Sequence, residues 1–406
     1  MTFDGPRSSI DLWSDEVLTD PFEAYAELRG LGSAVWLDRY DVVAVTRFAE
    51  VRQTLLNWKA FSSTAGVGID PESNIALANT GTLGTDPPEH TALRRRTASE
   101  FSARHVDAQK ERIRRIAETT IEPFLGGDEF DAVTGLSKPF VANVIAELLD
   151  LPDQMVADVP DKAATAFDLF GPTHDRRRAG MQAFQEIVGR AVELATSTDR
   201  PSPSNGPEDE IERIATYMFP GADTTVQAVS SALYCFARWP DQWALLRENP
   251  SLISSAISEV LRMHSPVRFF TRLSTTSVRV GSATIGPNTR VLVMYGCANR
   301  DERRFDDPEK FDVTRPTQQH LAFGHGPHRC EGANLAQLEL TVLLEALLDR
   351  VPRIDMHEPP TWGTGFAIHG LERLHVTFAR QPTKTRETQA PANPPNDGRQ
   401  GQVSIG

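Results

Sequence analysis

A chain of 406 residues, 40% hydrophobic and 24% charged, carries enough apolar material for a large core, and 42 Lys+Arg against 55 Asp+Glu leave a formal charge of −13. That acidic balance excludes nucleic acid and anionic lipid as partners held by the net field. Three cysteines, Cys235, Cys297 and Cys330, are too few and too widely spaced for a disulfide scaffold or a zinc site. The opening stretch MTFDGPRSSIDLWSDE has neither a basic n-region nor an apolar core, and no apolar run reaches about 18 residues. No membrane association is expected, and the cytoplasm is the expected compartment.

Helical periodicity dominates. Residues 21–30 read as a short helix entered through Pro21 and stopped at Gly30. The β-branched runs Ala34–Leu37 and Val42–Thr46, either side of a polar turn, read as a hairpin. Residues 60–88 are rich in Gly, Ser, Thr and Pro and read as a long irregular segment, which in a compact domain is usually functional. Amphipathic helices are predicted over 90–200, broken at Gly126-Gly127, Pro152 and Gly171-Pro172. The run RPSPSNGPED (200–209) reads as a flexible surface connection. Helix resumes over 210–264. Alternation over 275–295, with turns at Gly281-Ser282 and Gly286-Pro287-Asn288, predicts a small sheet. A polar, Pro-punctuated stretch (299–320) precedes the Gly-rich loop 323–329 and an apolar helix over 331–350. After Arg380 the composition predicts disorder. No repeat and no linker between separable cores is visible. One large, mainly α domain with small β-sheets is expected over 21–380, with 1–20 as an extension and 381–406 as a disordered tail.

The most informative segment is Phe323-Gly-His-Gly326-Pro-His328-Arg-Cys330-Glu331-Gly332. A cysteine just ahead of a helix faces the positive end of the helix dipole, which favours the thiolate. Glycines at 324 and 326 allow close backbone approach, and amide N–H groups can donate to the sulfur. A thiolate held in such a loop suits an axial haem ligand. A lone cysteine is otherwise most often a buried structural residue.

On Phe323, Gly326, Cys330 and Gly332 the loop resembles the cysteine signature of the cytochrome P450 haem-thiolate monooxygenases, and further landmarks follow in family order over about residues 20–380. The resemblance implies the P450 fold, haem b, Cys330 as the iron ligand and Phe323 beside the cofactor. Glu331 stands where the family usually has an apolar residue. Glu259-Val-Leu-Arg262 resembles the family's ExxR pattern; at i,i+3 such a pair alone is worth about 0.2–0.5 kcal/mol. The resemblance implies that it is buried and joined by Arg315 as a structural brace. In DPPEHTALR (86–94), His90 and Arg94 fall at i,i+4, and with Arg272 and His328 they are implied as partners of the haem propionates. In FPGADTT (219–225), Gly and Thr distort a helix. The resemblance places the oxygen groove there, with Thr224 stabilising activated oxygen and Asp223 relaying protons. Pro220 departs from the family's Ala or Gly and is expected to sharpen the bend.

The segments AFDLFGP (166–172) and VRFF (267–270), with GVGI (66–69), LYCFARWP (233–240) and ANRDERRF (298–305), resemble the bacterial branch oxidising small para-substituted aromatic acids, including para-methoxybenzoate demethylases. That implies a flat ring held between Phe167, Phe170 and Phe270. The loop DPESNIALANTGTLGT (70–85) lacks the arginine with which that branch grips carboxylate, leaving Arg268 as the candidate cation. The implied activity is hydroxylation or O-demethylation of a small aromatic substrate by O2. The two electrons would come from a ferredoxin and its NAD(P)H-dependent reductase, because no flavin or iron–sulfur motif is visible. Docking is expected on the basic stretch Arg94–Arg115. A peroxide-driven peroxygenase is one alternative, disfavoured by the Asp223–Thr224 pair. A non-catalytic haem-thiolate binding or sensor protein is the other, disfavoured because no sensory or output domain is visible.

Overall fold

Apolar residues repeating every three to four positions make this chain helical, and in the computed structural model, which describes residues 3–79, 81–197, 206–316, 320–380, 404 and 406, the helices form the body of a mainly α fold. The helices that position the site are α1 (Phe22–Leu31), α2 (Glu89–Thr97), α3 (Lys110–Ile121), α4 (Lys138–Leu149), α5 (Asp175–Thr196), α6 (Pro207–Met218), α7 (Ala222–Arg238), α8 (Ile253–Met263) and α9 (Ala333–Arg350). α7 is buried over most of its circumference and packs against α4, α8 and α9. It is therefore the axis of the core, with α3 packed outside α4 and α9.

A six-stranded sheet lies at one side. Its strands are β1 (Arg7–Ser8), β2 (Ala34–Leu37), β3 (Val42–Val45), β4 (Phe61–Ser62), β5 (Phe269–Ser274) and β6 (Arg290–Met294), in the order β1-β2-β3-β6-β5-β4. β2 and β3 form the expected hairpin, antiparallel with Ala34 opposite Val45. β1 pairs in parallel with Trp36–Leu37, so part of the N-terminal stretch is built into the sheet. The hairpin Val278–Val280/Ala283–Ile285 turns at Gly281, whose φ of +59° favours glycine. Among the described residues no helix is long and apolar enough to cross a membrane.

Four expectations change. Gly30 lies inside α1, which runs on to Leu31, because Gly30 meets no crowding and the exit is taken by extended Gly32. The irregular segment 60–88 holds a short helix, Pro71–Leu77, whose N-cap Asp70 accepts from the Ser73 N–H at 2.8 Å with proline at the first position. The helical stretch from 210 is not continuous: α6 and α7 are separated at Phe219–Gly221. α6 begins at Pro207, so the end of the predicted 200–209 connection is helical, while 200–205 and nearly all of the 381–406 tail lie outside the described residues.

Candidate active site

The cysteine loop is closed by its own backbone. Cys330 N–H donates to the Phe323 carbonyl at 2.8 Å, Gly324 N–H to Leu321 at 2.8 Å and Arg329 N–H to Gly326 at 3.1 Å. Gly324 and Gly326 have φ of +65° and +71°, and a Cβ on Gly326 would lie 2.6 Å from the Leu55 carbonyl oxygen. Both glycines are therefore fixed by geometry. Cys235 and Cys297 are buried, whereas Cys330 is exposed. Desolvation raises its thiol above the ordinary cysteine value, opposed by the Gly332 amide, which donates to the sulfur, and by Arg94 and Arg329, just ahead of α9. A thiolate has donors and cations there, and Phe323 sits half-buried in the same loop.

α2 brings two expected haem partners to that loop. The His90 ring lies 4.2 Å from the His328 ring, and its Nε2 is buried without a hydrogen-bond partner. Burial, then His328 and Arg94, lower the His90 pKa to about 4. His328 Nε2 faces Asp86 at 3.5 Å and Ser63 Oγ at 3.3 Å. Buried Arg272, from β5, donates to the Thr271 carbonyl at 2.7 Å and acts on both histidines. Arg94 is turned onto the cysteine loop, donating to the Arg329 carbonyl at 2.9 Å. Four cationic or protonatable groups crowd one place, and the unpartnered, buried ring nitrogen of His90 sits among them. That donor set fits the paired carboxylates of haem, with Cys330 as the iron ligand.

The break between α6 and α7 follows from Pro220 and Gly221. Proline has no N–H to give the Thr216 carbonyl, and Gly221 N–H reaches that oxygen instead at 3.2 Å. A Cβ on Gly221 would lie 2.8 Å from the Tyr217 carbonyl, so the pair Pro-Gly shapes the break. Thr224 Oγ1 donates to the Pro220 carbonyl at 2.7 Å. Asp223 points into the core, where Oδ1 accepts from Gln227 Nε2 at 3.1 Å; Gln227 Oε1 in turn accepts from Leu371 N–H at 2.8 Å. Burial pushes the Asp223 carboxyl up to about 6. The sequence reading missed Glu339 on α9, a buried acid pushed up to about 8 by desolvation and hydrogen-bonded to Thr225. Its only sequence signal is an acid on the apolar face of a helix.

Glu259, Arg262 and Arg315 come together in the core, with Arg262 and Glu259 fully buried at 2.7 Å and Arg315 at 3.2 Å from Glu259.

The aromatic residues also converge. The Phe170 ring lies edge-on to Phe270 at 5.2 Å and 5.7 Å from Phe167, and Phe219 joins at 4.9 Å from Phe167. Phe167 and Phe170 are buried, while Phe270 is half-buried, so the first two back the cluster rather than front it. The turn 167–170 is pinned from two sides. Ile69 N–H donates to the Phe170 carbonyl at 3.0 Å, and Asp168 accepts from Phe366 N–H at 2.8 Å and Arg176 Nε at 3.0 Å.

Arg268 requires a correction. Its Nε donates to the Ile368 carbonyl at 3.1 Å, NH2 donates to the Leu18 carbonyl, and Tyr25 is a further side-chain partner. A guanidinium buried and satisfied in this way is committed to joining three chain segments and is not offered to a substrate carboxylate.

A family model described as Cytochrome P450 matches residues 191–352. Over 397 residues the chain is 32% identical to cytochrome p450 CYP199A2 of Rhodopseudomonas palustris, covering 91% of this chain and 94% of that one. It is 30% identical over 408 residues to the 6-deoxyerythronolide B hydroxylase of Saccharopolyspora erythraea, covering 90% and 98%. Among solved structures, P450BioI bound to an acyl carrier protein carrying hexadec-9Z-enoic acid superposes with a TM-score of 0.81 at 25% identity, over 90% of this chain and 99% of that one.

Proposed function

The chain belongs to the cytochrome P450 family of haem-dependent monooxygenases, and on that premise we propose that it inserts one oxygen atom into a small, neutral aromatic substrate. The observation carrying this reading is the convergence of Phe167, Phe170, Phe219 and Phe270 together with the withdrawal of Arg268 into backbone hydrogen bonds. Offset and edge-on aromatic contacts favour a flat ring. The balance is substrate C–H plus O2, two electrons and two protons, giving C–OH and water. At a methoxy carbon the hemiacetal formed then collapses to a phenol and formaldehyde.

When bound, haem held by Cys330, His90, Arg94, Arg272 and His328 supplies the activation of dioxygen. The chain supplies the rest. Thr224 sits at the groove with its hydroxyl proton committed to the Pro220 carbonyl, so its oxygen lone pairs are available to accept a donor. Asp223 Oδ1, held by Gln227, carries a carboxyl poised to take and give a proton near pH 6. Glu339, behind Thr225, is a second buried acid able to hold a proton at neutral pH.

Titrating the haem-loaded protein tests the substrate class. Neutral methoxyphenols and alkylphenols are expected to produce the larger low- to high-spin Soret shift, with methoxybenzoates at least about 100-fold weaker, since an unpaired buried carboxylate costs several kcal/mol. Equal shifts with benzoates, or a response to bulky macrolides alone, overturn the reading.

The electron donor is an acidic ferredoxin served by an NAD(P)H-dependent reductase. Within the basic stretch, Arg94 faces Glu331, Arg96 faces Asp209, Arg112 faces Glu147, and Lys110 and Arg114 face Glu345. Much of that charge is neutralised locally. A concave face of about 810 Å³ lies beside the cysteine loop, lined in part by Arg52, Phe323, His325 and Arg329, and offers a better-placed positive rim. Ferredoxin-driven reduction should therefore slow as salt rises past about 0.1 M, where the screening length is ~10 Å, and slow further in Arg52→Glu. Indifference of stopped-flow reduction rates to both changes refutes this donor face.

A further inference from the structure

Three residues on one stripe of α2 grip the ligand loop. His90, Arg94 and Thr97 stand at i, i+4 and i+7, which places them on a single helix face. Each meets a different loop residue: the His90 ring packs on His328, Arg94 NH1 donates to the Arg329 carbonyl, and Thr97 Oγ1 donates to Glu331 Oε1 at 2.6 Å. Arg94 Nε also faces Glu331 Oε2 at 3.6 Å. Glu331 thus has both carboxylate oxygens engaged by α2, immediately after Cys330 in the chain. Its side chain is only 12% exposed, so water screens its charge little.

We propose that Glu331 is a positioning residue that sets the reduction potential of the iron held by Cys330, by keeping one fixed negative charge beside the thiolate. Reduction adds one electron to the iron–thiolate unit, and a carboxylate held nearby opposes that addition. Thr97 and Arg94 fix where the charge sits, and Arg94 offsets part of it. The effect is expected to bias the protein against reduction. Where the loop carries an apolar residue at this position, that bias is absent. The inference rests on Cys330 as the axial ligand. It goes beyond the proposed reaction, because potential can be measured without any substrate.

Spectroelectrochemical titration of the substrate-free, haem-loaded protein tests it. Glu331→Gln should ease reduction about tenfold, a shift of ~59 mV toward positive potential for one electron. Glu331→Leu, an apolar residue of the kind the family loop tolerates, should shift in the same direction. Glu331→Asp keeps the charge and should restore most of the native potential. Thr97→Val removes the hydrogen bond but leaves the charge, and should move the potential far less than Glu331→Gln. A native potential in both Glu331→Gln and Glu331→Leu overturns the proposal. So does a Thr97→Val shift as large as that of Glu331→Gln, since geometry alone would then account for it. The carbon monoxide spectrum of each reduced variant reports ligation separately, so failure of Cys330 as ligand is read apart from failure of Glu331 as tuning charge.

Discussion

Cys330→His is expected to erase the thiolate-type carbon monoxide spectrum of the reduced, haem-loaded protein and to bring monooxygenase turnover to background. Cys297 is buried, its sulfur close to the Tyr25 carbonyl at 3.5 Å and to Arg29 at 3.8 Å, and burial pushes its thiol up to about 12. Cys235 is buried on α7, and desolvation raises its pKa further still. Both sulfurs are enclosed in the core. Desolvation raises the Cys330 thiol as well, but there the Gly332 amide donates to the sulfur and Arg94 and Arg329 work against that rise, in a glycine-shaped loop beside His90 and His328. With Cys330 as its ligand, the bound haem would owe its characteristic spectrum and its capacity to activate dioxygen to electron donation by sulfur, which imidazole would not match. Cys235→Ser and Cys297→Ser should keep the spectrum. A thiolate-type band surviving in Cys330→His would mean that another residue binds the iron.

The cysteine loop was readable in the sequence because it is local. Its glycines, its phenylalanine and its cysteine lie within ten residues, and the positive φ at Gly324 and Gly326 is a property of those positions alone. The hairpin β2–β3 was readable for the same reason. Arg268 was not, because its partners Leu18 and Ile368 are distant in sequence and nothing in VRFF says which way the guanidinium turns. β5 escaped because Phe269–Ser274 is buried on both faces in part, which blurs the alternation that marks a strand. The separation of α6 from α7 was foreshadowed by Pro220, yet its form depends on Gly221 taking over the Thr216 carbonyl. Glu331 and Glu339 show the same limit: an acid's role depends on Thr97 and Arg94, or on Thr225, which lie on other helices.

The buried brace carries the largest expected effect on stability. Glu259 and Arg262 are one helical turn apart on α8, and on an exposed helix such a pair would contribute only about 0.2–0.5 kcal/mol. Here both are fully buried and the contact is bidentate, Arg262 Nε to Glu259 Oε2 at 2.7 Å and NH2 to Oε1 at 2.9 Å. Arg262 NH1 further donates to the Asn299 and Pro308 carbonyls at 3.1 and 2.8 Å. Glu259 also accepts from Arg315 Nε and from the Asp312 N–H, each at 3.2 Å. One carboxylate thus fixes two guanidinium groups and the polar stretch 299–315 that runs toward the cysteine loop. Neutralising it leaves Arg262 charged, buried and uncompensated, and removing one partner of a buried pair typically costs about 3–5 kcal/mol. Glu259→Gln is nearly the same shape, so a loss of that size would report charge rather than packing. Denaturant unfolding should show it as a lower midpoint with an unchanged slope. Arg262→Met should cost a similar amount, and the double variant less than the sum, because the two residues are coupled. If Glu259→Gln costs under about 1 kcal/mol, water or the neighbouring carbonyls already compensate Arg262, and the brace owes its strength to Arg315 and the backbone instead.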